Sequence, residues 1–501
     1  MRTVLHSQMT LGEEDIARIY LDPKSRDDIP QLLAGLKYIY ATPEVRQAVF
    51  KILEEVVPRR VGPGKCRQAR TDKGRPGMEQ WRILVLGTLR LGLNADYDRI
   101  HELANQHHTV RRMLGHGLVD DEKEYQVQTL KDNLRLFTPE ILDRINQEVV
   151  RAGHRLLNKN AVDLSGRCDS FVVKTDVHFP TDISLLFDAI RKTIEECARL
   201  CREQHLTDWR QSRHNIKTFK KQYRTIQSLK HSTSRDEEKR QARDAAIKQA
   251  HQCYLDQAEA FLERARATHL LLSTLPVVLL VFLGDLDGYI AHAERQIEQI
   301  RRRVIQGETI PHGEKVFSIF QPHTEWISKG KAGVPVELGL RVCVLEDRNR
   351  FILHHRVMVQ ETDEQVAVAM VKGAKERFPS LSLCSFDKGF HSPENQRKLK
   401  EELTTVVLPK KGRLSVADRE RESAPEFVDA RRQHSAVESA INALGVHGLE
   451  LCRDHGIDGF KRYVALAVVA RNIQRLGAVV RNLAKTKRGP YRKRQPVQLA
   501  A

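Results

Sequence analysis

An aspartate at the end of an apolar segment is the first candidate for chemistry in this chain. The stretch CSFDKGFHSPENQ, residues 384–396, continues a strand-like apolar segment and carries Asp387 out of it into a Lys-Gly pair. Ligands of open α/β sheets bind beyond the carboxyl ends of strands, which is where this carboxylate would lie. Aspartate before glycine is also common in turns. Taken alone, Asp387 is therefore either a turn residue or a site residue.

Two further aspartates lie in the segment RCDSFVVKTD, residues 167–176. Asp169 and Asp176 are separated by an odd number of residues, so in a regular strand their side chains point to opposite faces. Only one of them can face Asp387 across a neighbouring strand. Asp169 lies inside the predicted strand, whereas Asp176 lies close to the start of the next helix. The sequence therefore favours Asp169 as the partner of Asp387.

A third acid, Glu438, lies at the edge of the apolar stripe of a helix predicted from about Arg431. His434 and Asn442 continue a polar row with these two residues at spacings of three and four. A glutamate at the boundary of a helix is often an ordinary surface residue. Helical spacing alone leaves that interpretation open beside a role in a site.

The elements around these acids have an α/β pattern. VELGLRVCVLED, residues 336–347, alternates apolar and other residues with a period of two, and FILHHRVMV follows at hairpin distance. With the strand near Asp169, the strand before Asp387 and TTVVLP, this predicts a mixed sheet of five strands with intervening helices. The helices are predicted at residues 364–377, from 393, from about 431 and at 459–483.

The rest of the chain is predominantly helical in pattern. The segment 58–76 is rich in Gly, Pro, Lys and Arg, which indicates an exposed basic linker. The predicted organisation is an all-helical N-terminal region (1–160), the first strand (161–181), a helical insertion (182–310), the remaining α/β core (311–483) and a basic tail (484–501).

The charge balance indicates a polyanionic partner. The chain has 501 residues, with 83 Lys+Arg against 65 Asp+Glu, a net charge of +18. Such an excess favours nucleic acid, although a basic surface can also serve solubility alone. The eight cysteines form no CxxC pair and fit reduced thiols in a cytosolic protein. There is no signal-peptide pattern, and the most apolar stretch, residues 270–283, is too short to span a bilayer.

Four segments carry a resemblance to a known family. CDSFVVKTDVHFPTDISLL, SFDKGFHSPENQ, PKKGRLS and the long segment beginning RRQHSAVESAINALGVHGLELCRDHGIDGFKRY resemble the core motifs of bacterial insertion-sequence transposases of the DDE class, the ISNCY-type group among them. GRPGMEQWRILVLGTLRLGLNADYDRI resembles their helical DNA-binding region. The resemblance implies an RNase H-like catalytic core, and its two aspartates and one glutamate fall on Asp169, Asp387 and Glu438.

The resemblance also implies a reaction and its partners. In such transposases the three acids hold two Mg²⁺ ions, with Mn²⁺ as a substitute, and the metals assist DNA cleavage and strand transfer. The substrates would be the terminal inverted repeats of a mobile element and its target DNA. A homodimer or higher oligomer is expected because two ends must be joined. The expected location is the bacterial cytoplasm, on the nucleoid.

The sequence departs from the family pattern beside the glutamate. Many relatives have Arg four residues before it and Lys seven after it, where this chain has His434 and Gly445. Arg431 is the candidate replacement for the phosphate contact. The other candidate DNA contacts are His434, Lys388, Lys410, Lys411 and Arg75. Two other functions fit the same pattern: a DNA-binding protein that no longer cuts, and an RNase H-like nuclease without strand transfer.

Overall fold

The chain folds into two compact units in this computed structural model. The sheet unit comprises Met1–Asp176 and Ile327–Ala501, and the helical unit comprises Val177–Trp326. The helical unit includes the insertion that was predicted at 182–310. The structure describes residues 3–5, 14–57, 59–62, 65–68, 77–117, 123–157, 163–231, 236–273, 280–328 and 335–487.

The secondary structure contains nine strands and seventeen α-helices within the described residues. The strands are β1 (Arg59–Gly62), β2 (Lys65–Gln68), β3 (Leu164–Thr175), β4 (Glu325–Ser328), β5 (Val336–Asp347), β6 (Ile352–Met358), β7 (Leu381–Phe386), β8 (Thr405–Val407) and β9 (Leu451–Cys452). The helices are α1 (Asp28–Ala41), α2 (Pro43–Leu53), α3 (Gln80–Gly92), α4 (Tyr97–Gln106), α5 (His108–Met113), α6 (Val127–Leu134), α7 (Pro139–Leu156), α8 (Asp182–Glu203), α9 (Ser212–His231), α10 (Glu237–Ser273), α11 (Leu280–Ile300), α12 (Asp363–Arg377), α13 (Pro393–Glu402), α14 (Val416–Ser423), α15 (Pro425–His434), α16 (Ala436–Leu444) and α17 (Gly456–Lys487).

The predicted mixed α/β fold is confirmed, and the central sheet has a defined order. β6, β5, β3, β7 and β8 are neighbours in that sequence. β5 is antiparallel to both β3 and β6, while β7 is parallel to both β3 and β8. Four of these five strands therefore run in one direction, with β5 alone reversed. The carboxyl ends of β6 and β7 consequently lie at the same edge of the sheet.

The prediction of five strands is wrong, because the sheet has seven among the residues that the structure describes. β4 also pairs with β5, and β9 also pairs with β3. β3 pairs with β7 only from Leu164 to Cys168, which leaves the edge of its far end open. β9 pairs there, opposite Lys174 and Thr175. A strand of two residues is too short to show an alternating pattern in the sequence. It is recognised only by its pairing with β3.

The prediction that the N-terminal region is all-helical is wrong, because it contains two short strands. β1 and β2 form an antiparallel hairpin inside the segment that was interpreted as a basic linker. Two residues separate the two strands in sequence. The basic composition of the segment hid the two short strands, because Lys and Arg are uncommon markers of β-structure.

The N-terminal helices belong to the same compact unit as the sheet. α1 packs so closely on α17 that a Cβ at Gly35 would lie 2.1 Å from the carbonyl oxygen of Ile473. On the facing helix, a Cβ at Gly477 would lie 2.0 Å from the carbonyl oxygen of Gln31. α17 also packs on α3, α7 and β6, and one continuous apolar core includes residues from all of these elements. Region 1–160 therefore shares its core with the α/β part.

The helix α17 owes its apolar composition to this burial. Among the described residues it alone is long and apolar enough to cross a membrane, over Gly456–Thr486, and 78% of its most apolar part is buried inside the protein. A helix that is apolar on most of its circumference is typical of the centre of a large core.

The helical unit has its own apolar core. α8, α9, α10 and α11 pack together around Leu186, Trp209, Phe219 and Tyr254. The Phe219 and Tyr254 rings stack with centroids 4.4 Å apart. Thr181 and Ser184 form a reciprocal capping box that defines the start of α8. An independent core of this kind gives the unit a fixed internal structure.

Candidate active site: acids at the carboxyl end of β7

Asp169 on β3 and Asp387 directly after β7 lie at the same edge of the sheet, because these two strands are adjacent and parallel. The last registered pair between β3 and β7 is Cys168 with Phe386. Asp169 directly follows Cys168, and Asp387 directly follows Phe386. Neighbouring strands are about 4.8 Å apart, so the register brings both carboxylates to one edge. The Asp387 side chain makes no capping hydrogen bond to the short helical turn Lys388–Phe390 that follows it. Asp387 therefore precedes this turn, but its carboxylate does not cap it.

The electrostatics of Asp169 identify the acids around it. The pKa of Asp169 is raised from its ordinary value of 3.8 to about 6, mainly because the carboxyl group is largely buried. A hydrogen bond from the Ser170 N–H to Oδ1, at 2.7 Å, opposes that rise. Repulsion from Asp387, Asp363 and Glu438 raises the pKa further. Four acids therefore lie within electrostatic range of one another at this edge.

Glu438 reaches this cluster from a helix that packs on β3. It lies in the first turn of α16 and its side chain is exposed. Glu438 acts electrostatically on Asp169, and also on His434. The three acids that the resemblance implied, separated by up to 269 positions in the chain, thus converge on one edge of the sheet.

The helix predicted from about Arg431 is broken at Ser435. α15 ends at His434, and α16 begins at Ala436. The Ser435 hydroxyl donates to the carbonyl oxygen of Arg432, at 3.0 Å, a local bond that competes with regular helix geometry. Arg431 and Glu438 consequently lie on different helices.

His434 lies between the acids and the end of β7. Its Nδ1 and the Ser385 Oγ form a hydrogen bond of 3.0 Å. Burial lowers the pKa of His434, and the nearby Asp387 and Glu438 carboxylates oppose this decrease. His434 is therefore part of the acid cluster, held by Ser385 on β7, the strand that Asp387 directly follows. The sequence suggested His434 as a contact for DNA phosphate, whereas in the structure its ring is hydrogen-bonded to Ser385.

Sequence reasoning missed the fourth acid, Asp363. It is the first residue of α12, which follows β6, and its Oδ1 accepts a hydrogen bond of 2.6 Å from the Ser170 hydroxyl. The available signal was the capping box formed by Thr362 and Gln365 directly after an apolar strand. Because β6 and β7 end at the same edge, an acid at the start of α12 lies near the acid that follows β7.

A buried ion pair adjoins the cluster. Arg167 lies two residues before Asp169 on β3, and its guanidinium is 3.6 Å from the Glu346 carboxylate on β5. Burial raises the pKa of Glu346 to about 7, and Arg167 opposes that rise. Arg167 also lowers the pKa of His434. This arginine therefore brings a positive charge to the site, although its nearest partner is a carboxylate.

The candidate DNA contacts differ in their availability. Lys388, Lys411 and Arg431 are exposed. Lys410 instead forms an ion pair with Asp418 of α14, and its backbone N–H donates to Glu422 Oε1 at 2.8 Å. The proposed Arg75 contact lies outside the described residues. Lys410 is thus held by the acids of its own segment.

The donor chemistry of the cluster suits a hard cation. Asp169, Asp363, Asp387 and Glu438 offer carboxylate oxygens, which Mg²⁺ prefers, and a cation would relieve their mutual repulsion. Across the described ranges, no group of three or more His, Cys, Asp or Glu side chains is arranged closely enough to hold one metal ion.

No family model, curated protein or solved structure matches this chain.

Proposed function

We propose that this chain is a DDE-type transposase that cuts and joins DNA at the ends of an insertion sequence. The observation that carries the proposal is the position of Asp169 on β3 and of Asp387 directly after the adjacent parallel strand β7, with Asp387 and Glu438 within electrostatic range of Asp169. Two aspartates and one glutamate on these elements are the acids that the resemblance assigns to catalysis. The net charge of +18 supports a polyanionic substrate.

The strand order supports an RNase H-like core. Such a core has three consecutive antiparallel strands followed by two parallel strands on the other side of the first. The order β6, β5, β3, β7, β8, with β5 alone reversed, has this arrangement. Within it the first acid lies on the central strand and the second follows the adjacent parallel strand. The helical unit is inserted directly after β3.

The residues of the cluster have distinct roles in this proposal. Asp169, Asp387 and Glu438 would hold two Mg²⁺ ions, which when bound stabilise the attacking and leaving oxygens of a phosphodiester. Asp363 fixes the Ser170 hydroxyl behind Asp169 and adds negative charge. His434, whose pKa is lowered by burial, is a neutral hydrogen-bonding group that is anchored by Ser385. The exposed Lys388 and Arg431 are the candidate contacts for DNA phosphates.

The proposal is tested with DNA that flanks the gene on both sides. Terminal inverted repeats are expected there, and the purified full-length chain should nick them in Mg²⁺ and join the freed 3′ ends to a target. Asp169→Asn, Asp387→Asn and Glu438→Gln should each reduce both reactions by at least about 1,000-fold, the order of loss expected for removal of a group central to catalysis. Binding of the DNA ends should remain nearly unchanged.

Asp176→Asn is the matched control. Asp176 is exposed and directly follows the end of β3, so its loss should leave substantial activity. An active Asp169→Asn protein beside an inactive Asp176→Asn protein would reject the assignment of the first acid. Cleavage without any joined product would indicate a nuclease. End binding by the unaltered chain without cleavage would indicate a DNA-binding protein that keeps only the fold.

A further inference from the structure

The helical unit contains a pocket that the proposed chemistry does not use. Its volume is about 500 Å³, within the range of small-molecule and nucleotide sites. The start of α8, the end of α9 and the segment that follows α11 contribute its walls. The lining residues that matter here are Phe179, Phe317, Trp326, Lys230, Arg303 and Lys315. We call this the aromatic pocket.

Three aromatic rings form a connected wall of the aromatic pocket. The Phe179 and Trp326 ring centroids are 5.6 Å apart, and those of Phe317 and Trp326 are 5.7 Å apart. The His312 ring continues the series, 5.4 Å from Phe317. Phe179 is 63% exposed, which is unusual for a phenylalanine that already has ring contacts. An exposed ring in a concave wall can stack on a flat partner.

Positive charge surrounds these rings. Lys230, Arg303 and Lys315 line the aromatic pocket, and its acid is Asp182, which is paired with Arg303 at 2.8 Å. Burial lowers the pKa of Lys230, and the neighbouring Arg303 lowers it further. Lys230 has no carboxylate at ion-pair distance within the part of the chain that the structure describes. Two cations that repel each other beside a single shared acid favour binding of an anion.

The start of α8 adds to this preference. Thr181, Asp182 and Ile183 line the aromatic pocket, and they form the N-terminal end of a helix of 22 residues. The positive end of the helix dipole therefore faces the same space as the three cations. The aromatic wall and the cationic rim are independent observations, and each one points to a different part of a ligand.

We propose that the aromatic pocket binds an unpaired nucleotide of a DNA strand. The base stacks on the exposed Phe179 ring, and its edge contacts the Trp326 ring, which is inclined at 64° to Phe179. The adjoining phosphates lie against Lys230, Arg303 and Lys315. An apolar ligand would offer no negative charge to Lys230 and Lys315, and inorganic phosphate would leave the exposed aromatic ring uncovered. A base that is paired in duplex DNA cannot offer its face for stacking, so the site selects single strands or disrupted duplex. The proposal goes beyond the cleavage reaction and does not require the acid cluster.

Intrinsic fluorescence gives a direct test with the full chain. The protein has three tryptophans, of which Trp81 and Trp209 are 0% and 1% exposed, while Trp326 is partly exposed. An oligothymidine of about ten nucleotides, within the usual length bound by a single-strand site, should quench Trp326. Duplex DNA of the same length should quench much less. The free nucleotide dTMP should also quench, but with weaker affinity, because it offers one phosphate instead of several.

Two substitutions test the two parts of the site by anisotropy of a labelled oligothymidine. Phe179→Ala, at an exposed position, should weaken binding by about 5- to 150-fold, the range expected for the loss of one base–aromatic stack. Lys230→Ala should lower the slope of log affinity against log salt by about 0.7. Lys221→Ala removes an exposed charge from the same helix, α9, outside the lining, and should leave the slope unchanged.

Several results would overturn the proposal. These are the absence of Trp326 quenching by the single strand, equal quenching by duplex, equal effects of Lys221→Ala and Lys230→Ala, or full affinity after Phe179→Ala. Equal affinity for dTMP and the oligonucleotide would assign the pocket to free nucleotides and would also overturn it. Asp169→Asn should bind the oligothymidine normally, so failure of this proposal and failure of the proposed catalysis give different results.

Discussion

Replacing Asp169 with asparagine should stabilise the protein at neutral pH while it removes activity. The folded protein raises the pKa of Asp169 from 3.8 to about 6, mainly by burial and then by repulsion from the other acids. Each pKa unit corresponds to about 1.4 kcal/mol, so the ionised carboxylate costs at most about 3 kcal/mol. Partial exposure of the side chain reduces this cost, and we expect about 2 kcal/mol. The neutral amide avoids it and retains an oxygen for the Ser170 N–H.

The pH dependence follows from the direction of the shift. The unfolded chain loses the proton near pH 3.8, and the folded chain holds it until about pH 6. The favourable contribution of the protonated group is therefore fully present below pH 3.8 and is lost as the pH rises to 6. At pH 7.5 the free energy of unfolding of Asp169→Asn should be about 2 kcal/mol larger than that of the wild type. The difference should fall below about 0.5 kcal/mol at pH 4.

Hydrogen exchange measured by mass spectrometry on peptides from β3 is the suitable assay. It reports the free energy of opening at the site and does not require the two units to unfold together. Asp176→Asn, at an exposed position after the strand, should show no difference at either pH. Millimolar Mg²⁺ in the absence of DNA should slow exchange in the wild type and not in Asp169→Asn. Equal protection of wild type and Asp169→Asn at pH 7.5 would refute the reasoning, because ionised Asp169 would then not be destabilised by burial and by the other acids.

Three further outcomes are expected. Asp363→Asn should remove one of the charges that raise the pKa of Asp169. The acidic limb of the cleavage pH profile should therefore move to lower pH, with catalysis retained. An acidic limb at the same pH as in the wild type would contradict the electrostatic coupling of the two acids. Gly35→Ala should destabilise the sheet unit by about 1–3 kcal/mol or more in urea unfolding, because its Cβ would meet a carbonyl oxygen of α17; Gly284→Ala, which meets nothing within 4 Å, should stabilise its helix by roughly 1 kcal/mol. Deleting the basic tail after residue 487 should weaken DNA binding equally for all sequences and flatten its salt dependence, and unchanged binding would exclude the tail from the contact.

The local pattern of the sequence was sufficient to predict the main strands and which of two aspartates lies inside one of them. Strict alternation in residues 336–347 predicted β5, and its hairpin with β6 is confirmed by their antiparallel register. The odd separation of Asp169 and Asp176 selected the residue that lies inside β3. These features depend on side chains alternating along one strand, which short-range sequence expresses directly. The sequence also showed the positive charge and the helical character of the insertion.

Only the tertiary structure decided which residues share the site and in what state. The register of β3 with β7 joins segments more than 200 residues apart, and no local pattern encodes such a register. Asp363 lies in the acid cluster because β6 and β7 end at one edge of the sheet. Lys410 is not available as a free cation because it forms an ion pair with Asp418. The raised pKa of Asp169 depends on burial and on charges brought by other elements. Composition and periodicity describe one segment at a time, whereas burial, register and electrostatic coupling exist only between segments that the fold has brought together.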